Sequence, residues 1–121
     1  MPNELILVVD DSPTEQKLVA SALVARGYRV ITACDGEEAL AKAAKELPRL
    51  VVLDVVLPKK NGFQVCRQLK TSADTSAIKV LLLTGKTQES DRLWGLKQGA
   101  DGYLTKPFVG ADLLAGVTRL L

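Results

Sequence analysis

Histidine is missing from all 121 residues, and that absence removes the Ser-His-Asp triad, the Cys-His pair and every imidazole metal site from what the chain can build alone. Cysteine is scarce: Cys34 and Cys66 lie far apart and match no metal-ligand spacing, so both read as reduced structural thiols. No apolar run approaches the roughly 18 residues of a membrane span. The opening MPNELILVVDD also lacks the charged and apolar regions of a secretory signal, so a cytoplasmic location and no membrane partner are expected. Neither GxGxxG nor GxxxxGK[ST] occurs, which counts against a nucleotide-binding module. The formal net charge of +2 is too small to support direct nucleic-acid binding. Chemistry must therefore rest on carboxylates, hydroxyls, lysines and backbone.

What is present is ordinary globular composition, 47% hydrophobic and 25% charged, in a length that fits one domain over residues 1–121. Apolar runs of strand length, at residues 5–9, 29–33, 50–53, 80–83 and 102–105, alternate with segments of helical period. That is the pattern of an α/β fold with a parallel sheet covered on both faces, five strands and five helices. The second run alternates and is the least apolar, as an edge strand should be.

Helix starts are well signalled. Ser12, Pro13 and Glu15 form a capping-box pattern for the first helix, which Gly27 ends. Asp35 and Glu38 repeat the pattern for the second, whose stripe Ala39, Leu40, Ala43, Ala44, Leu47 stops before Pro48. Residues 62–70 should bury Phe63, Cys66 and Leu69, and residues 87–98 should bury Leu93 and Leu96. Val109, Leu113, Val117 and Leu120 should line the last helix. Residues 71–77 read as a polar surface loop.

Asp10, Asp11 and Asp54 each follow directly on a buried-strand pattern, LILVV before the pair and LVVL before the third. If the first and third strands lie side by side, three carboxylates crowd one end of the sheet, and a bound cation would relieve their repulsion. Acids favoured by the positive end of a helix are the alternative for Asp10 and Asp11, which directly precede the capping Ser12. Taken singly, Lys106 also reads as a solvated surface lysine and Thr84 as a strand-end hydroxyl. Tyr103 reads alone as a buried ring with its hydroxyl at the surface. Trp94 is either packing at the edge of the core or an exposed partner anchor.

Four segments, VVDDSP, LDVVLPKKNG, LLLTGK and GYLTKPF, in this order and spacing, resemble the signature of response-regulator receiver domains over nearly the whole chain. The resemblance implies a flavodoxin-like, doubly wound sheet in the order 2-1-3-4-5, with a crevice where the winding reverses between the first and third strands. It implies that Asp54 accepts a phosphoryl group from a histidine kinase or phosphotransfer protein. It further implies that Mg2+ is held by Asp11, Asp54 and the main-chain carbonyl of Val56, with Asp10 acting largely through water. Thr84 and Lys106 would contact the phosphoryl oxygens, and the Lys106–Pro107 bond would be cis.

The residue types suit that chemistry. A carboxylate attacks phosphorus when the developing charge is neutralised, Mg2+ takes oxygen ligands, and no general base is needed. Thr84 and Tyr103 would form the switch, with output to a downstream protein through the fourth helix, fifth strand and fifth helix, as a monomer or a phosphorylation-dependent dimer.

Two departures bear on the lifetime of the modification. The residue two after the phosphoacceptor is Val56 and the one two after Thr84 is Lys86, where receivers often carry polar or acidic groups. An apolar side chain there should order an attacking water poorly, and slow self-dephosphorylation is expected. Val56 also argues against a phosphohydrolase of the haloacid dehalogenase type, which would place a second Asp at that position. The segments DDSPTEQKL, TSAIKVLLLTGK and SDRLWGLKQGADGYLTKP are similar to single-domain receivers of pilus-linked, twitching or phototaxis chemosensory pathways. A starting Met and five complete units favour a stand-alone receiver, the alternative being the N-terminal receiver of a longer transcriptional regulator, and in either case the resemblance implies a phosphoacceptor signalling domain rather than an enzyme.

Overall fold

Five short strands are spaced by five helices in strict alternation along the computed structural model, which describes residues 3–121. The strands are β1 (Leu5–Val9), β2 (Arg29–Ala33), β3 (Leu50–Leu53), β4 (Lys79–Thr84) and β5 (Gly102–Thr105). The helices are α1 (Pro13–Val24), α2 (Gly36–Glu46), α3 (Gly62–Thr71), α4 (Glu89–Lys97) and α5 (Gly110–Leu120). All pairings are parallel and the strand order is β2-β1-β3-β4-β5, the flavodoxin-like order.

Alternate residues of each strand point to opposite faces, and each face builds its own core. Leu7, Val9, Val51, Leu53, Val80 and Leu82 pack with Ala39 and Ala43 of α2 and Val65, Cys66 and Leu69 of α3. On the other face Ile6, Val8, Leu50, Val52, Leu81 and Leu83 pack with Val19 and Leu23 of α1 and Leu113 and Val117 of α5. The interior strands β1, β3 and β4 are therefore apolar on both faces, whereas edge strand β2 is only partly buried along most of its length. Burying Leu113 or Leu23 completely contributes about 2 kcal/mol each.

Several sequence expectations are corrected here. Leu93 and Leu96 of α4 are exposed, and the residue that α4 turns to the sheet is Gly95. A Cβ at Gly95 would stand 2.7 Å from Leu82 Cδ1 and 3.3 Å from Tyr103 Cδ2, so the close approach of this helix to β4 and β5 leaves its leucines facing outward. Trp94 is half exposed beside them. Val109 is exposed as the residue before α5 rather than part of its buried face.

Leu47 is exposed because it ends α2 in the left-handed conformation, φ 48°, and Ala44 is exposed as well. Thr75, inside the expected surface loop, is buried, with its hydroxyl donating to the Leu69 carbonyl at 2.7 Å. Helix α3 has the full capping box, Asn61 with Gln64. The boxes expected at α1 and α2 are half made: Ser12 and Asp35 accept from the N3 amides, while Glu15 and Glu38 send their carboxylates elsewhere. Glu38 turns to the main-chain N–H of Cys34, one residue before the cap.

Candidate functional site

Strand register assembles the acidic site. Val9 of β1 pairs with Leu53 of β3, so Asp10 and Asp54, each the next residue, leave the sheet side by side. The Asp54 N–H donates to the Val9 carbonyl at 3.1 Å and the Asp10 N–H to the Ala33 carbonyl at 3.1 Å, which continues the ladder one step past the strands. Carboxylate oxygens of Asp10, Asp11 and Asp54 lie within 4.8 Å of one another. Asp10 and Asp54 are buried and Asp11 is exposed, so the cluster opens to solvent on one side.

Lys106 closes the other side. It follows directly on β5, its N–H donates to the Thr84 carbonyl at 2.7 Å, and its peptide bond to Pro107 is cis. Its ammonium donates to Asp10 Oδ2 at 2.8 Å, Glu15 Oε2 at 2.8 Å and Asp54 Oδ2 at 3.3 Å. Burial alone would push this ammonium down. The hydrogen bonds to Asp10 and Glu15 and the charges of Asp54 and Asp10 outweigh it and hold the group above the ordinary lysine range. Lys106 is thus a fixed positive charge at any physiological pH.

The remaining contacts orient the acids. Asp10 Oδ1 accepts from the Ser12 N–H at 2.9 Å, and Asp54 Oδ1 accepts from the Val56 N–H at 3.3 Å. Gln16 donates from its amide to the carbonyls of Asp10 and Ala33, tying α1 to the ends of β1 and β2. Thr84, fully buried at the end of β4, accepts from the Lys86 N–H at 3.4 Å. The Val56 side chain is 60% exposed beside the acids.

Tyr103 packs its ring partly against the core face of α2 and α3 and donates its hydroxyl to the Lys86 carbonyl at 2.8 Å. Its phenol is pushed up by burial first and then by the charges of Asp91 and Asp54. Tyr103, Thr84 and Lys86 are therefore joined through one segment of main chain after β4.

Glu15 and Gln16 are the site residues that sequence reasoning missed. In sequence Glu15 reads as a cap residue alone, although an acid on the first turn after Asp10-Asp11 also faces the end of the sheet. For Gln16 no local pattern signals the bond to Ala33. Cys34 is exposed and Cys66 buried, both free, with burial pushing the Cys66 thiol up to about 12.

As a donor set, three carboxylates with no sulfur or nitrogen ligand are hard oxygen chemistry, which fits Mg2+. Lys106 supplies a fixed cation and Thr84 a buried hydroxyl, groups able to stabilise negative charge, whereas the carboxylates need a bound cation before a second anion can approach them.

Comparison with known proteins bears on this arrangement. The model of the family described as "Response regulator receiver domain" matches residues 6–118. Protein PilH of Pseudomonas aeruginosa is 46% identical over 96% of this chain and 96% of its own length. The alkaline phosphatase synthesis transcriptional regulatory protein PhoP of Bacillus subtilis is 48% identical over 98% of this chain, which spans 49% of that relative. Among solved structures, the chemotaxis response regulator CheY4 of Vibrio cholerae aligns over 98% of this chain and 99% of its own, with a TM-score of 0.92 at 35% identity. Among the described residues no helix is long and apolar enough to cross a membrane.

Proposed function

The chain belongs to the response regulator receiver domain family, and from that premise we propose that it is a single receiver domain over residues 1–121 whose Asp54 accepts a phosphoryl group from a histidine kinase or phosphotransfer protein. The observation that carries this reading is the convergence of Asp10, Asp11 and Asp54 within 4.8 Å under the ammonium of Lys106.

Asp54 is held for attack by two contacts, Oδ1 to the Val56 N–H and Oδ2 to Lys106. In the transfer a P–O bond forms to Asp54 as the bond from phosphorus to the donor breaks, and the donor leaves with that electron pair. Lys106 neutralises one equatorial oxygen and the Thr84 hydroxyl donates to another. Asp11, Asp54 and the Val56 carbonyl, with Asp10 through water, would hold Mg2+, which supplies positive charge to the phosphoryl oxygens. No side chain need act as a general base, since a carboxylate nucleophile has no proton to lose.

Readout would start at Thr84. A hydroxyl drawn toward the phosphoryl group gives up its bond from the Lys86 N–H, and Lys86 is the residue whose carbonyl holds Tyr103. The shift passes to α4, β5 and α5, where a downstream protein target would bind. A signalling role in pilus-based motility is supported by the likeness of DDSPTEQKL, TSAIKVLLLTGK and SDRLWGLKQGADGYLTKP to single-domain receivers of such pathways, and the match to PilH over nearly the full length of both chains fits a receiver of this length. The second reading, the receiver of a longer transcriptional regulator, is supported by the 48% identity to PhoP.

Incubation with Mg2+ and acetyl phosphate, followed by intact mass, tests the assignment. One phosphoryl on wild type and none on Asp54→Asn supports it. Continuous release of phosphate from generic esters would indicate a hydrolase, and neither adduct nor Mg2+ affinity would leave only an unmodified adaptor.

A further inference from the structure

An ammonium has three N–H donors and no acceptor. In Lys106 all three are engaged by carboxylates, those of Asp10, Glu15 and Asp54. Glu15 differs from the other two in origin and setting. It comes from the first turn of α1 rather than from a strand end, and its side chain is 45% exposed, against 5% for Asp10 and 11% for Asp54. The distances are unequal as well: Lys106 sits 2.8 Å from Asp10 and from Glu15 but 3.3 Å from Asp54. The ammonium thus lies nearer Asp10 and Glu15 than Asp54.

Resting on the reading of Asp54 as phosphoacceptor, we infer that Glu15 is a positioning residue that holds Lys106 in the unmodified protein and competes with the phosphoryl group for it. A phosphoryl group on Asp54 brings additional negative charge and oxygens that accept hydrogen bonds. With its donors fully used, Lys106 meets those oxygens only by giving up present partners: the bond to Asp54 Oδ2, at 3.3 Å the longest, frees one donor, and a second must come from Asp10 or Glu15. Asp10 is a poorer candidate for release, because its carboxylate is only 5% exposed and bulk water replaces the ammonium less readily there than at Glu15. Glu15 is half in water already and its carboxylate is rehydrated by a rotation of its own side chain. Release of Glu15 is therefore the least costly way to give the phosphoryl group a second donor from Lys106, and Glu15 sets how strongly the unmodified state resists modification.

Beryllium trifluoride, formed from beryllium chloride and sodium fluoride, imitates a phosphoryl group without being hydrolysed and isolates this competition from turnover. Its Mg2+-dependent affinity is measured by 19F NMR titration for wild type, Glu15→Gln, Lys106→Met and the double variant, with acetyl phosphate labelling of each followed by intact mass. Glu15→Gln keeps the length and loses the charge, and it is expected to bind the mimic about fivefold tighter, the scale of a half-exposed charge pair. In the Lys106→Met background the same substitution should change nothing.

Equal affinity of wild type and Glu15→Gln overturns the inference, and so does a gain of the same size without Lys106, which would make Glu15 a general repulsive charge. If wild type acquires neither mimic nor phosphoryl while Asp54 is intact, the phosphoacceptor reading itself fails and this inference falls with it. A wild type that is labelled on Asp54 but indifferent to Glu15→Gln removes only the role of Glu15.

Discussion

Adding one methyl group at Gly62 should disturb the acidic site from behind. A Cβ built there stands 2.2 Å from the Asp54 carbonyl oxygen, 2.7 Å from Val55 Cα and 2.9 Å from the Asp54 carbonyl carbon. All three neighbours are main chain, so no side-chain rotation relieves the overlap, and α3 or the segment after β3 must move by about 1 Å to restore ordinary contact. The Gly62 N–H also donates to the Val55 carbonyl at 2.8 Å, which pins the two segments together. Overpacking of this kind costs about 3 kcal/mol. The reduced freedom of the unfolded chain returns about 1 kcal/mol.

The net loss of about 2 kcal/mol, at about 0.25 kcal/mol per kelvin of unfolding entropy for this length, lowers Tm by about 8 °C. Gly110→Ala serves as the control, because nothing lies within 4 Å of its added Cβ at the first turn of α5, and its Tm should hold or rise slightly. Thermal melts followed by circular dichroism at 222 nm read both variants, with labelling by acetyl phosphate as a second measure. Since the displaced segment carries Asp54, Gly62→Ala should also label more slowly at a temperature where it is fully folded. A Gly62→Ala melt equal to or above that of wild type would refute the account of how α3 is seated against β3.

Further expectations concern charge. With divalent ions chelated, Asp54→Asn should melt higher than wild type, because Asp10 and Asp11, each within 4.8 Å, repel its charge by about 3 kcal/mol or more apiece at an effective dielectric near 20, and together they outweigh the roughly 5 kcal/mol of attraction from Lys106 at 3.3 Å. Millimolar Mg2+ should shrink or reverse that order, and a variant less stable in chelator would count against repulsion in the cluster. The Cys34 main-chain N–H, then the side chains of Lys42 and Cys34, hold the Glu38 carboxyl down to about 2. A depressed folded value means that the contribution is complete above pH of about 4.5 and is lost as pH falls toward about 2. The group is about one-third exposed, so this amounts to less than ~1 kcal/mol. In urea melts, wild type should exceed Glu38→Gln at pH 7 and converge with it near pH 2, whereas a constant gap would contradict the assignment. Finally, Val56→Asn should shorten the half-life of phosphorylated protein several-fold by ordering an attacking water, and an unchanged decay would show that the exposed valine does not govern access.

Strand positions were readable because β1, β3 and β4 are apolar on both faces, so LILVV, LVVL and VLLLT carry their burial in composition alone. The placement of the acids was readable for a related reason: each is the residue after a run whose end is unmistakable. Strand order was a different matter, since nothing local in LILVV selects LVVL as its neighbour, and 2-1-3-4-5 entered only through the family resemblance. In helix α4 hydrophobicity does not fix orientation. The sheet-facing residue there is Gly95, chosen for the space it does not occupy, and two leucines and a tryptophan are left outside. Glu15 was hidden by its own local pattern, since Ser12-Pro13-Thr14-Glu15 reads as a finished cap while the true partner, Lys106, lies 91 residues away.

The pairing of Val9 with Leu53 and of Thr84 with Thr105 has an evolutionary corollary. Because Asp10, Asp54 and Lys106 are each one step beyond a register pair, their mutual spacing is inherited from the ladder rather than from the turns that follow. Deleting a single residue inside β1 or β3 would rotate an acid to the opposite side of the sheet and take it out of the cluster. Exposed positions on the outer helix faces touch none of this ladder, so they can vary while the spacing of the cluster stays fixed.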